Sequence, residues 1–200
     1  MFIFGSRLAP AQTNEQKVTP TFINVGEERI REECKALGMD QRSTERFVER
    51  YNALVKQGYE KLAKELGKTR DEKLFIRKVW ELLSKDFGFS FKPTNLLTDA
   101  LTAKNTDCDT AAFLIFDIGR LLHIPGISIV AVKDHAFVRT QNYYLQSGNR
   151  RLFVWGAMEE AKKLYPNMYG NYSKNSEIVG LSYRAIGDEL EERKDYRKAI

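Results

Sequence analysis

Two side chains in this chain could carry covalent chemistry together. Cys108 stands where a polar loop, residues 103–107 (AKNTD), meets a strongly apolar run that extends to Leu122. A cysteine at a helix start lies at the positive end of the helix dipole, which favours thiolate over thiol. The thiolate is the form that attacks a carbonyl carbon. The first-turn N–H groups have no helical partner and can donate to the oxyanion that such an attack creates. A base must take the thiol proton, and the chain has two histidines, His123 and His135. His123 falls at the end of the apolar run, where a capping role at the helix C-terminus is expected. His135 opens a β-rich stretch, His-Ala-Phe-Val, after a charged turn. The end of a strand can hold an imidazole rigidly toward a cleft, so His135 is the candidate general base.

The elements that must position this pair can be read from periodicity. Residues 1–22 carry two prolines and no period, and are expected to form an extended arm. A helix is expected from Glu27 to Leu37, stopped by Gly38, with Cys34 on its buried stripe. A second follows Ser43-Thr44 and buries Phe47, Val48, Tyr51, Leu54, Val55, Tyr59 and Leu62, ending at Gly67. A third runs from Thr69 to Phe87 with Trp80 in the core. Residues 87–91 read as a short extended piece before Pro93, and a short helix follows through Leu101. The run from Asp107 to Leu122 is apolar on nearly all sides, as expected of a central buried helix, and Pro125-Gly126 breaks it. Three strands are expected, over 127–132, 136–139 and 152–155, with Ser147-Gly148-Asn149 turning between the last two. A helix over 157–165 follows.

Composition limits the alternatives. The 200 residues are 42% hydrophobic and 30% charged, enough to bury a core without disulfide support. The net charge of +5 is spread over mixed-sign helical runs such as Glu191-Glu192-Arg193-Lys194, which read as solvated faces rather than a nucleic-acid footprint. No segment has the ~20 apolar residues of a membrane helix, and the opening MFIFG is too short and uncharged for a signal peptide. Two cysteines in unlike contexts imply no disulfide framework, which suits a reducing, cytoplasmic setting without excluding export. One Cys, one His and Asp107 or Asp109 do not form the closely spaced ligand pairs of a structural zinc site, so no metal and no cofactor is expected.

The pieces Asp107-Cys108-Asp109-Thr110-Ala-Ala-Phe, Leu121-Leu122-His-Ile-Pro125 and Asp134-His135-Ala-Phe-Val-Arg139, in that order, resemble the core of transglutaminase-like cysteine proteins. The resemblance covers about residues 70–160 and implies an α+β, papain/transglutaminase-like fold: a helical N-terminal part (27–101), then a cysteine helix packed on a small antiparallel sheet (102–160), within a domain over 23–168. The tail from Tyr169 to Ile200, with Tyr183-x-x-Ile-Gly187-x-x-Leu190 and Asp195-Tyr-x-x-Ala-Ile, resembles the start of a tetratricopeptide repeat, cut short at Ile200. Some bacterial transglutaminase-like proteins join such a domain to such repeats.

The resemblance implies acyl transfer or amide hydrolysis on a protein or peptide, with Cys108 as nucleophile and His135 as base. It also implies an acid or amide on a neighbouring strand to orient the imidazole. If the strands around 135–140 and 151–156 pair directly, that residue falls near Gly156, where the related branch is expected to have an acid. Asp134 points to the opposite face from its neighbour His135, and Asn149 lies in the turn. Glu159 is then the candidate third member. Without an orienting group the site is either a dyad or a weakened relic, and in the latter case the chain is a protein-binding module that meets partners through its helical tail.

Overall fold

The computed structural model describes residues 24–92, 94, 96–132, 135–147, 153–164 and 170–172. Helices α1 (Val25–Ala36), α2 (Gln41–Leu66) and α3 (Glu72–Glu81) come first, α3 running on into a π-helical turn, Leu82–Asp86. A two-residue parallel pair, β1 (Ser90–Phe91) with β2 (Asn105–Thr106), encloses α4 (Leu97–Ala103). Helix α5 (Cys108–Leu121) leads to β3 (Ser128–Val132), β4 (His135–Arg139), β5 (Tyr143–Ser147) and β6 (Phe153–Ala157), then α6 (Met158–Leu164) and β7 (Gly170–Tyr172). The five longer strands form one antiparallel sheet in the order β6-β5-β4-β3-β7. The class is mixed helix and sheet, with a small antiparallel sheet, as expected.

Helix α5 is the axis of the core. Every residue from Thr110 to Gly119 is buried, because α1 and α2 cover one side and the sheet the other. Strand alternation divides the sheet faces. Ile129, Ala136, Val138 and Leu145 join the main core beneath α5. Val130, Phe137 and Tyr144 face the other way and form a second cluster with Met158 and Ala161 of α6. Ala136 is small where α5 passes closest, and that lets the helix start approach the backbone of β4.

Two helices are capped from a distance. Asn24, at the start of α1, makes no side-chain cap; the α1 N–H groups of Val25 and Gly26 donate instead to Asp117 of α5, at 3.0 Å each. The N–H groups of Leu97 and Thr98, opening α4, donate to Glu33 of α1 at 2.8 and 2.9 Å. Both carboxylates are buried, so they offset the two helix dipoles inside the core and lock α1 to α4 and α5.

Several expectations are corrected in detail. Helix α2 begins at Gln41, four residues earlier than expected, because Asp40 is its cap and accepts the Ser43 N–H. Its buried stripe uses Gly58 where Tyr59 was expected. Tyr59 is exposed, and a Cβ on Gly58 would stand 2.6 Å from Ile118 Cδ1, so the glycine is what lets α2 meet α5. The third helix is shorter at its start, capped by Asp71, and changes to π geometry before Phe87. Trp80 is half-buried at the core's edge, while Cys34 is fully buried as expected. The tail begins with a strand, since Gly170–Tyr172 pairs with β3; the remainder of the repeat-like tail and the arm over 1–22 lie outside the described residues. Among the described residues no helix is long and apolar enough to cross a membrane, and no cluster of three metal-ligating side chains occurs.

His123 ends α5 as a C-terminal cap. Its φ is 54°, its N–H donates to the Arg120 carbonyl, and the Ile124 N–H donates to the Gly119 carbonyl. This is the Schellman arrangement, whose left-handed residue is usually glycine. His123→Gly is therefore expected to stabilise the fold by roughly 0.5–1 kcal/mol, read as a higher midpoint in urea unfolding. An unchanged or lower midpoint would mean that the imidazole contributes more than the left-handed backbone costs.

Candidate functional site

Helix α5 starts at Cys108 because Asp107 stops the preceding strand and caps the helix. Its Oδ1 accepts the Thr110 N–H at 3.0 Å, while the Thr110 hydroxyl accepts the Asp107 N–H at 3.0 Å. This reciprocal capping box fixes the first turn. Its second oxygen accepts the Thr94 N–H at 3.3 Å, and Thr106 shares a hydroxyl–hydroxyl bond of 2.8 Å with Thr110. The capping box engages the Thr110 N–H, and Ala111 donates to the Asp107 carbonyl. The N–H groups of Cys108 and Asp109 are the first-turn donors left over from it.

The thiol of Cys108 is half-buried. It lies over closely packed apolar side chains, Ala111, Ala112, Ile115, Val138 and Leu145, with no room between them for a water molecule. Sγ donates to Asp109 Oδ1 at 3.4 Å, and the sulfur lies against Ala136, whose backbone favours the thiolate. Among the described residues Asp109, rather than the imidazole, accepts from the thiol. The expected low thiol pKa is contradicted: burial pushes it up to about 12, and the Asp109 and Asp107 carboxylates add to the rise against the Ala136 backbone. The reason is a matter of size. A helix start supplies about half a positive charge, too little to offset the loss of water around a buried thiolate, and the Asp109 and Asp107 carboxylates add to that deficit.

His135 opens β4 beside Ala136, against which the sulfur lies. Strand alternation turns its ring to the face of Phe137, with centroids 6.2 Å apart, while Ala136 faces α5. Burial lowers the imidazole pKa; the Gln146 hydrogen bond and the charges of Asp109 and Asp107 oppose this. The structure therefore brings Cys108 and His135 to the same end of β4, both in neutral form.

The hydrogen-bond partner found for His135 is not the one expected. Gln146 Oε1 stands 3.2 Å from His135 Nε2. The direct pairing expected between 135–140 and 151–156 does not occur, because β5 lies between them and Gly156 is opposite Tyr144. The β4–β5 register pairs Val138 with Leu145 and Arg139 with Tyr144. Continuing it sets Gln146 opposite Phe137, a diagonal neighbour of His135 on the same face. The turn that sets this register is tied down on both sides. The Gln141 N–H donates to the Pro125 carbonyl at 2.9 Å, and Glu72 of α3 accepts from the Asn142 N–H and Nδ2 at 2.9 and 3.0 Å. Glu159, the sequence candidate, is on α6 with its side chain 76% exposed and paired with Lys162 at 2.8 Å, not with His135. A signal for Gln146 was present: Thr140-Gln141-Asn142 is a turn-forming set, and Tyr143-Tyr144-Leu145 is β-prone. Asp134 and Asn149 lie outside the described residues.

Compared with protein-family models, with curated proteins and with solved structures, the chain matches none.

Proposed function

We propose that this chain is a transglutaminase-like, papain-like cysteine acyl-transfer or amide-hydrolysing domain acting on a protein or peptide, with Cys108 as nucleophile, His135 as base and Gln146 as the positioning residue. The Gln146–His135 hydrogen bond carries this reading. With the proton on Nε2 donated to the amide oxygen, Nδ1 becomes the basic nitrogen. In the reaction the Cys108 proton passes to His135, and the sulfur attacks the amide carbon. The first-turn N–H groups of Cys108 and Asp109 donate to the oxyanion, and the imidazolium returns its proton to the leaving amine. Water or an acceptor amine then opens the thioester. An amide in place of an acid still fixes the ring but brings no charge to favour the imidazolium, which suits a pair that is neutral at rest.

The test is acylation by a small activated ester, followed by intact mass. Wild-type protein is expected to gain one acyl group on Cys108, Cys108→Ala none, and Gln146→Ala to acylate more slowly, by up to the ~10⁴-fold that loss of the orienting group costs a Ser-His-Asp triad. Equal rates in wild type and His135→Ala would sink the proposal. The second reading, a protein-binding module with a relic cleft, is favoured by the thiol's bond to Asp109 and its raised pKa. It predicts no acyl group on Cys108 in any variant.

A further inference from the structure

We propose that Asp109 is a latch on the Cys108 thiol: it holds the sulfur on its own carboxylate, and the site reacts fast only when that carboxylate is removed or neutralised. The inference deepens the Cys108–His135 reading and rests on it.

Three observations carry it. First, of the two carboxylates that flank the cysteine, Asp107 is occupied by Thr110 and Thr94, whereas the bond that Asp109 accepts comes from the thiol. Second, the sulfur lies against Ala136, whose side chain faces α5, while His135 turns to the opposite face of that strand. The held sulfur is thus directed at the residue next to the base instead of at the base. Third, the side chains packed beneath it are apolar, Ala111, Ala112, Ile115, Val138 and Leu145, none of which can stabilise a thiolate. A carboxylate is a poor neighbour for a nucleophile that must become an anion, and burial together with the Asp109 and Asp107 charges raises the thiol pKa. Asp109 also lies in the first turn of α5, where an acid favours the helix. That role would affect stability but would slow nothing at the thiol, so the two can be told apart.

The experiment is alkylation of the full-length chain by iodoacetamide at pH 7.5, with the rate read at the Cys108 peptide by mass spectrometry. In this reaction sulfur displaces iodide and its proton leaves to His135 or buffer. Asp109→Asn, which keeps shape and removes charge, and Asp109→Ala are both expected to react at least about tenfold faster than wild type, the effect of one pKa unit on the thiolate fraction. Thermal unfolding of each variant confirms that the fold is retained, and the second variant serves if the first does not fold. Rates within twofold of wild type, or slower, overturn the latch. Repeating Asp109→Asn in a His135→Ala background separates the two ideas. If the increase vanishes, latch and pair both stand. If it persists, the latch stands and the Cys108–His135 pair falls.

Discussion

Glu33→Ala is expected to lower the unfolding free energy by about 3–5 kcal/mol, the range measured when one partner of a buried charge pair is removed. Glu33 and Arg29 are both fully buried and joined at 2.7 Å, and the Arg29 guanidinium lies 4.6 Å from the centroid of Phe113. Removing Glu33 leaves a guanidinium in the core without its carboxylate. It also strips the acceptor from two N–H groups that open α4. Either loss alone costs about 1–3 kcal/mol for an unmet buried donor. A domain of this size has only about 5–15 kcal/mol to lose. The measurement is urea unfolding followed by circular dichroism, with Glu33→Gln as the milder partner because its amide oxygen can still accept one of the N–H groups. A change below about 1 kcal/mol in Glu33→Ala would show that water or a shifted side chain replaces the carboxylate.

The second large effect is a dependence of stability on pH. Asp117 is buried and accepts from Val25 N, Gly26 N and the Tyr51 hydroxyl, the last at 2.7 Å. Burial pushes its carboxyl pKa from 3.8 up to about 6, although these three donors favour the charged form. A folded-state pKa above the unfolded value means that the native protein holds the proton more tightly. Stability must therefore fall as pH climbs from about 4 to about 6 and level off above, by ~3 kcal/mol for a shift of about two units. Asp40, Glu45 and Glu81 work in the opposite direction. Their pKa values are lowered by hydrogen bonds to Ser43, Arg31 and Lys78, so their stabilisation is lost on acidification. Asp117→Asn isolates the buried group, since it is neutral at every pH. The stability of Asp117→Asn relative to wild type is expected to rise by ~3 kcal/mol between pH 4 and pH 7. Parallel curves would mean that the Asp117 carboxyl titrates at its ordinary value.

The same residues divide what can be read in order along the chain from what cannot. Periodicity alone determines that Asp107–Leu122 is a central buried helix with Cys108 at its start, that His135 opens a strand, that Cys34 is in the core and that Gly38 and Gly67 end helices. These are local facts: a 3.6- or 2-residue period, a cap, a positive φ. The caps of α1 and α4 were not legible, because Asp117 lies 92 residues from Val25 and Glu33 lies 64 from Leu97. The orienting residue failed for a related reason. Between 139 and 152 the sequence reads only as a connection with a turn at Ser147-Gly148-Asn149, yet 143–147 is a strand, and one more strand in a meander moves every later register partner, so Gln146 rather than Gly156 or Glu159 meets His135. The state of the thiol also needed the tertiary structure. Position at a helix start argues for a thiolate, but burial and the two aspartates outweigh both it and the Ala136 backbone at close range, and they leave Cys108 protonated. Sequence determined on which elements Cys108 and His135 sit. Only the β4–β5 register and the packing of α5 on β4 decided what bonds to His135 and what surrounds Cys108, because those are distances between parts of the chain that no local period connects.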